Sequence, residues 1–226
     1  MIVAERKPLP EIIESIAGVK RLMVVGCNTC VAVCLAGGER EVALLSSALR
    51  IAANKDGREL EIVERCVERQ CEEEYNREVA AEVADVEVVL SMACGVGVQT
   101  MAQQFPNAIV YPALNTTFMG QPDELGSWSE RCLGCGNCVL AQFGGICPIT
   151  RCAKNLLNGP CGGSADGRCE VDPEHLECAW QLIYDRLKAI GQLDRLMEIT
   201  SSRTIWRGPP CRDGGPRQIV REDVQA

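Results

Sequence analysis

The chain has little of several residue types on which common protein chemistries depend. Its 226 residues include a single histidine, His175, so three-histidine zinc sites and two-histidine zinc fingers are excluded. A Ser-His-Asp triad would have to use His175, which lies among acidic neighbours without a nucleophile motif. Aromatic residues make up only 4% of the chain. These absences direct attention to the one reactive residue type that is abundant, cysteine.

Long hydrophobic runs and basic clusters are also missing. The longest apolar run, residues 88–98, is interrupted by Ser91 and by glycines, and it falls short of the roughly 20 residues of a membrane helix. Residues 1–10 contain charged side chains, unlike the apolar segment of a secretory signal. The net charge of −8, without a basic stripe, disfavours a nucleic-acid surface. We therefore expect a cytoplasmic protein with no membrane span and no nucleic-acid partner.

The chain contains 15 cysteines. In a reducing cytosol, dense cysteine indicates metal or redox chemistry rather than a disulfide framework. An odd number of cysteines also cannot pair off within one chain. A secreted, disulfide-stapled protein is therefore disfavoured, and the positions of the cysteines become the main guide to function.

Residues 1–120 alternate between apolar runs and segments with helical periodicity. The predicted strands are residues 22–26, 60–63, 86–92 and 108–111, and the predicted helices are residues 11–17, 39–53, 72–83 and 99–105. Strands that alternate with helices predict an α/β domain with a parallel sheet of the flavodoxin or Rossmann type. A domain of this class is covered by helices on both faces of the sheet.

From Asn115 onward the sequence becomes a loop rich in glycine, proline and cysteine. We predict a cysteine-rich, loop-dominated metal-binding domain over residues 121–200 and an extended tail over residues 201–226, which contains Cys211. The domain should end in a helix, with Asp172 as its N-cap and Pro173 as its first residue. Its apolar stripe would contain Leu176, Trp180, Ile183, Leu187 and Ile190, and Cys178 would lie off that stripe.

Several cysteines follow the ends of the predicted strands. Because the carboxyl ends of parallel strands meet at one edge of a sheet, these cysteines should converge there. The candidate metal ligands at this edge are Cys27, Cys30, Cys34, Cys71 and Cys94. Cys66 is interpreted as a buried and inert residue at a strand end. The alternative is a core that tolerates cysteine, together with a reactive Cys-x-x-Cys pair.

The strongest local motif is Cys132-x2-Cys135-x2-Cys138, followed by Cys147-Pro148. Thiolates at this spacing are typical of the iron–sulfur run of bacterial ferredoxins. The last gap is longer here than in that run, so the fourth ligand could be Cys147, Cys152 or a later cysteine. A second set of four follows, namely Cys152, Cys161, Cys169 and Cys178, for which structural zinc and an iron–sulfur cluster are both open.

Three segments of this cysteine-rich region carry a family resemblance. Residues 158–163 (NGPCGG), 167–171 (GRCEV) and 178–187 (CAWQLIYDRL) resemble the domain often found with methylenetetrahydrofolate reductase in bacteria. With residues 26–30 (GCNTC), 92–99 (MACGVGVQ) and 132–152, nearly the whole chain resembles the small cysteine-rich subunit of the heteromeric reductase of acetogenic and related anaerobic bacteria. Only the tail after about residue 200 falls outside the resemblance.

The resemblance implies an electron-transfer subunit without a catalytic step of its own. It would relay electrons through two or more iron–sulfur clusters, of the 4Fe-4S type, from a low-potential donor such as ferredoxin. The acceptor would be the FMN of a barrel-type catalytic subunit that binds folate and reduces methylene- to methyl-tetrahydrofolate. Members of this family have also been described as zinc-binding, and the chain has no folate or flavin motif.

Two other hypotheses remain open at this point. The chain could be a structural zinc-binding subunit that stabilises or activates the reductase. It could also be a stand-alone redox protein, or one linked to corrinoid-dependent methyl transfer.

Overall fold

The computed structural model describes residues 1–200. The chain divides into two compact units, Met1–Glu130 and Arg131–Ala226. The division lies beyond the predicted boundary at residue 120. Two strands, Leu114–Glu124 and Ser127–Cys132, occupy the region where the sequence indicated a loop. The predicted tail, residues 201–226, lies outside the described residues. Within residues 1–200, the helices are too short or too polar to cross a bilayer.

The chain runs through seven strands and eight α-helices within the described residues. The first unit contains β1 (Ile2–Arg6), α1 (Leu9–Ser15), β2 (Arg21–Cys27), α2 (Cys30–Val33), α3 (Glu39–Lys55), β3 (Glu61–Val67), α4 (Glu73–Asn76), α5 (Ala80–Ala84), β4 (Val88–Met92), α6 (Gly95–Gln104), β5 (Ile109–Pro112), β6 (Leu114–Glu124) and most of β7 (Ser127–Cys132). The second unit contains α7 (Pro148–Arg151) and α8 (Ala179–Ala189).

Four of the strands form a parallel sheet in the order β3-β2-β4-β5. Leu22 of β2 pairs with Ile62 of β3 on one side and with Val88 of β4 on the other. The chain order of these strands reverses between β2 and β4, which is the arrangement of flavodoxin-like sheets. The predicted α/β class is therefore confirmed.

Alternate residues of the central strands enter two separate cores. Leu22 and Val24 of β2 face the core that contains Leu49 of α3. Met23 and Val25, on the opposite face of β2, belong to a second core with residues of α5 and α6. Side chains alternate between the two faces of a strand, so a continuous apolar run suits a strand covered on both faces.

The sequence prediction missed a second sheet, with the order β1-β6-β7. β1 pairs antiparallel with β6, and Val3 lies opposite Phe118. β6 contains Gly120 and Pro122, which are typical of turns, and most of its residues are exposed. Gly120 is required where β6 meets β7, because a Cβ atom there would lie 2.2 Å from the carbonyl oxygen of Ser129. Pairing with distant strands therefore outweighs the local sequence pattern.

Two helices of the first unit differ from their predicted extents. The helix predicted over residues 72–83 is divided into α4, a 3₁₀ turn (Arg77–Val79) and α5. Asn76, where α4 ends, is buried, and its side-chain amide donates to the carbonyl oxygen of Gln70 at 2.9 Å. α6 begins at Gly95, earlier than predicted, because the hydroxyl of Thr116 accepts a hydrogen bond from the Gly95 amide at 2.8 Å.

The second unit has a small core surrounded by loops. The ring centroids of Phe143 and Trp180 lie 5.4 Å apart at an interplanar angle of 79°, an edge-to-face arrangement. The buried core residues are Val139, Phe143, Cys178, Trp180, Ile183 and Leu187. The loop-dominated architecture predicted for this region is confirmed.

The C-terminal helix begins later than predicted. α8 starts at Ala179, so Asp172 and Pro173 are not its N-cap and first residue. The amide of Cys169 donates to Leu176 O at 3.0 Å, and the amide of Cys178 donates to Gly167 O at 2.8 Å. These bonds hold the preceding segment in a non-helical conformation. Cys178 is only 7% exposed, so the prediction that it lies away from the apolar core was wrong.

We expect Gly97→Ala to destabilise the first unit, although alanine is the better helix former. The added Cβ would lie 2.8 Å from the Cβ of Ala93 and 2.9 Å from the Cβ of Gln70. Overpacking of this kind costs about 1–3 kcal/mol. Gly95→Ala is the control, since its Cβ would meet only the Thr116 hydroxyl at 3.6 Å. Urea unfolding followed by circular dichroism should show a lower midpoint for Gly97→Ala alone, and equal midpoints would contradict this packing.

Candidate metal centres

The cysteines of the first unit collect near the carboxyl ends of the parallel strands. Cys27 is the last residue of β2, Cys66 lies near the end of β3, and Cys94 follows β4. Cys71 lies in the loop after β3. β2 and β4 are neighbours in the sheet, so Cys27 and Cys94 flank the point where the strand order reverses. Open α/β sheets bind their ligands in the crevice at this point.

Cys27, Cys71 and Cys94 are here called the edge thiols, and Cys71 interacts electrostatically with both of the others. Partial burial raises the pKa of the Cys71 thiol, and the sulfurs of Cys27 and Cys94 raise it further. Cys27 is buried, Cys94 is half-buried and Cys71 is exposed. Neighbouring thiolates repel one another, so ionising several of them requires a nearby positive charge. A bound metal cation would supply that charge.

Cys66 has the environment of an unreactive thiol. Its sulfur donates a hydrogen bond to Asn28 Oδ1 at 2.9 Å. Burial raises the pKa of Cys66 to about 12, with smaller contributions from the negative charges of Glu39, Cys27 and Glu41. A thiol with this pKa stays protonated near neutral pH, whereas a metal ligand must be a thiolate. This position agrees with the interpretation of Cys66 as an inert residue.

Cys34 and Cys30, also predicted as ligands at the sheet edge, are close enough to interact. Cys34 is buried in the core, where its sulfur lies 3.5 Å from both the amide and the carbonyl oxygen of Ala4 in β1. Burial is the main cause of the raised pKa of the Cys34 thiol. These backbone contacts suit a core residue, so the assignment of Cys34 as a ligand rests on sequence alone.

In the second unit, one cavity of about 310 Å³ is lined by four cysteines of the predicted motif. They are Cys132, Cys135, Cys138 and Cys147. The sequence did not decide whether the fourth cysteine of this set is Cys147, Cys152 or a later one. Of these, Cys147 lines the cavity together with the other three. We call this space the loop cavity.

The backbone of the loop cavity is adapted to sulfur. The amide of Gly134 donates to the sulfur of Cys132 at 3.3 Å. Gly134 and Gly136 have φ angles of 60° and 88°, which other residues adopt only with strain. Amides directed at ligand sulfurs stabilise thiolates and tune the metals that they hold.

The second predicted set in this unit is divided between two places. Cys178 is buried in the small core, and Cys152 packs against that core. Cys161 donates a hydrogen bond to Glu170 at 3.4 Å, and Glu170 also bonds Lys154. The pKa of Lys154 is raised, first by Glu170 and to a lesser extent by the negative charges of Cys161 and Cys169. Cys161 and Cys169 therefore lie around Lys154, whereas Cys152 and Cys178 lie at the core.

As the side chains stand, no group of three or more cysteine, histidine, aspartate or glutamate side chains in residues 1–200 forms a ready metal site. The predicted metal centres accordingly stay predictions. Two features nevertheless fit a thiophilic metal. Four thiols line a single cavity, and a glycine amide already points at one of them. Soft metals such as zinc and the iron of iron–sulfur clusters prefer such a donor set.

Two residues next to the edge thiols were not singled out from the sequence. The carbonyl oxygen of Gly37 accepts a hydrogen bond from the Cys27 amide at 2.9 Å, and a Cβ at Gly37 would lie 2.0 Å from Met92 O. Gln70, immediately before Cys71, is fully buried. The Gly37-Gly38 pair was a visible signal of close backbone approach. The signal for Gln70 was weaker, because it consisted only of an uncharged amide side chain next to the candidate ligand Cys71.

Part of the chain matches a known protein family. Residues 111–206 match a family model described as the C-terminal region of methylene-tetrahydrofolate reductase. This segment includes the loop cavity and all four cysteines of the second set. No curated protein and no solved structure matches the chain. The match relates this segment to methylene-tetrahydrofolate reductase, an oxidoreductase of one-carbon metabolism.

We expect thiol alkylation to distinguish Cys66 from Cys138 in metal-free protein. Cys138 is exposed, whereas the pKa of Cys66 is raised to about 12, chiefly by burial. Only thiolates react with iodoacetamide, so at pH 8.5 Cys138 should be modified within minutes while Cys66 is left unmodified. Mass spectrometry of the proteolysed protein measures both sites. Denaturation in urea should abolish the difference, and equal rates in the folded protein would contradict the environment described for Cys66.

Proposed function

We propose that this chain is the electron-transfer subunit of a methylenetetrahydrofolate reductase complex. The observation that supports this proposal most directly is the loop cavity. There, four thiols of a ferredoxin-like motif line one space inside the segment related to the reductase. The reductase reaction consumes an electron pair, which an associated metal-binding chain can deliver. The chain has no folate or flavin motif, so the chemical step belongs to a partner.

In the loop cavity, Cys132, Cys135, Cys138 and Cys147 would hold an iron–sulfur cluster. Such a cluster accepts and donates single electrons when bound. The amide of Gly134, already directed at the sulfur of Cys132, would stabilise negative charge on the thiolates. Cys152, Cys161, Cys169 and Cys178 provide ligands for a second centre in this unit, whose metal is either iron or zinc.

The edge thiols would form a separate centre in the first unit. Cys27, Cys71 and Cys94 supply three thiolates, and Cys30 is the nearest further candidate in sequence to Cys27. Open α/β sheets have a crevice at the reversal of strand order, which would give this centre an open side. Two groups of ligands in two units suit a chain that receives electrons at one centre and delivers them at another.

The proposed partners follow from the reaction. The acceptor is the FMN of a barrel-type catalytic subunit that reduces methylene- to methyl-tetrahydrofolate. The donor is ferredoxin or another low-potential electron carrier. Both assignments extend the relation of residues 111–206 to the reductase and are parts of the proposal.

Structural zinc is the second candidate, and the small core of the second unit favours it. Within residues 131–200, six buried residues form that core, too few to hold a long loop region by apolar burial alone. Zinc held by four thiolates would close the loops without carrying electrons. In that case the chain stabilises or activates the catalytic subunit.

Metal analysis of anaerobically purified protein separates these two functions. We expect iron and acid-labile sulfide with broad visible absorption, and Cys135→Ser should remove the loop-cavity centre alone, because that thiol lines the cavity. Cys66→Ser is the matched control and should retain all of the metal, because the Cys66 thiol donates a hydrogen bond to Asn28 and its pKa is raised, chiefly by burial. Colourless protein with stoichiometric zinc would select the structural function, and unchanged metal content in Cys135→Ser would contradict the ligand assignment.

Electron delivery is tested with the partner present. Reduced ferredoxin should bleach the FMN of the catalytic subunit only when this chain is added, as followed by flavin absorption under anaerobic conditions. The Cys135→Ser chain should slow this bleaching strongly, and the Cys66→Ser chain should support it fully. Equal bleaching without the chain would overturn its role as an electron carrier.

A further inference from the structure

Gln70 is a fully buried polar residue in the loop between β3 and α4. Its side-chain nitrogen donates to the carbonyl oxygens of Val25 and Gly26, both at 2.9 Å. Its side-chain oxygen accepts a hydrogen bond from the hydroxyl of Ser91 at 2.6 Å. One buried amide thus forms three hydrogen bonds to two different strands.

These hydrogen bonds connect the three chain segments that carry the edge thiols. Gln70 itself precedes Cys71. Gly26 precedes Cys27 at the end of β2, and Ser91 lies in β4 shortly before Cys94. The two partners on β2 are therefore close in sequence to Cys27, and the partner on β4 is close to Cys94.

Further contacts fix the Gln70 segment. Its carbonyl oxygen accepts a hydrogen bond from the side chain of Asn76 at 2.9 Å. The Ser91 hydroxyl lies 3.3 Å from the amide of Ala93, so the network continues to the residue before Cys94. Gly97 leaves room for this arrangement, since a Cβ there would lie 2.9 Å from the Gln70 Cβ.

Both hydrogen-bonding atoms of the Gln70 amide are satisfied. A buried amide is stable only with such partners. Removing it would deprive two buried carbonyl oxygens and one buried hydroxyl of a hydrogen bond each. The two donated bonds are directed at the end of β2, and the accepted bond comes from β4. The network therefore defines the distances between the three segments more closely than apolar packing would.

We propose that Gln70 is a positioning residue that holds together the three chain segments carrying the edge thiols, so that these thiols can close on a metal. The inference rests on the proposed metal-binding role of Cys27, Cys71 and Cys94. Gln70 contacts the backbone beside the ligands and contributes no ligand itself. Residues that hydrogen-bond metal-ligand side chains typically change metal affinity 10–100-fold when they are replaced, and we expect an effect of this order for Gln70.

Cobalt titration of the metal-free full-length chain tests this inference. Thiolate-to-cobalt charge-transfer absorption reports binding, and the part that Cys27→Ser abolishes belongs to the edge thiols. Gln70→Met keeps the approximate size of the side chain but removes its hydrogen bonds. We expect it to weaken Co²⁺ binding at the edge about 10–100-fold and to leave the remaining Co²⁺ binding unchanged. Gln103→Met, which changes an exposed amide on α6, is the matched control and should bind as the wild type does.

Ser91→Ala keeps the test informative if Gln70→Met does not fold. This variant removes the hydrogen bond that Gln70 accepts and the one that Ser91 accepts from the Ala93 amide, but it keeps both bonds that Gln70 donates to β2. Its loss of edge affinity should therefore be smaller but measurable. The urea midpoint and the Co²⁺ binding of the second unit establish that each variant is folded.

The outcomes distinguish this inference from the proposed function. If Cys27→Ser loses no Co²⁺, the edge thiols do not bind metal, and the inference fails together with that part of the proposed function. If Cys27→Ser loses Co²⁺ while folded Gln70→Met and Ser91→Ala bind as tightly as Gln103→Met, the inference alone is overturned. A weakened edge site in both variants, with the second unit unaffected, supports it.

Discussion

Parallel pairing of β2 with both β3 and β4 is the constraint on which the arrangement of the first unit depends. It buries β2 on both faces and therefore requires the apolar run that begins at Leu22. It also makes three strands end at one edge, so residues far apart in sequence meet there. The edge thiols come together as a consequence of this topology, without any local cysteine motif that includes all three.

The second unit is organised differently. Its candidate ligands follow one another closely along the chain, and its apolar core is small. Glycines with positive φ angles and a short turn bring Cys132, Cys135 and Cys138 to one cavity. Local chain geometry therefore brings the cysteines together in this unit, whereas sheet topology does so in the first unit. A bound metal would add stability to a unit in which few apolar residues are buried.

The sequence was informative where structure follows from local pattern. The apolar runs and helical spacings predicted the parallel sheet and its helices, and the cysteine spacing anticipated the grouping around the loop cavity. It failed where distant segments decide the outcome. β6 forms despite Gly120 and Pro122 because β1 pairs with it. Cys178 is buried because a backbone bond to Gly167 delays the start of α8. The Gln70 network could not be predicted, since this loop residue bonds to two strands that are distant from it in sequence.

The division between Glu130 and Arg131 has a consequence for how such a chain can evolve. All edge thiols precede this point, and all cysteines of the loop cavity follow it. Each group of ligands is therefore inherited as one contiguous piece of gene. A recombination near this junction would therefore transfer each group of thiols as a complete set.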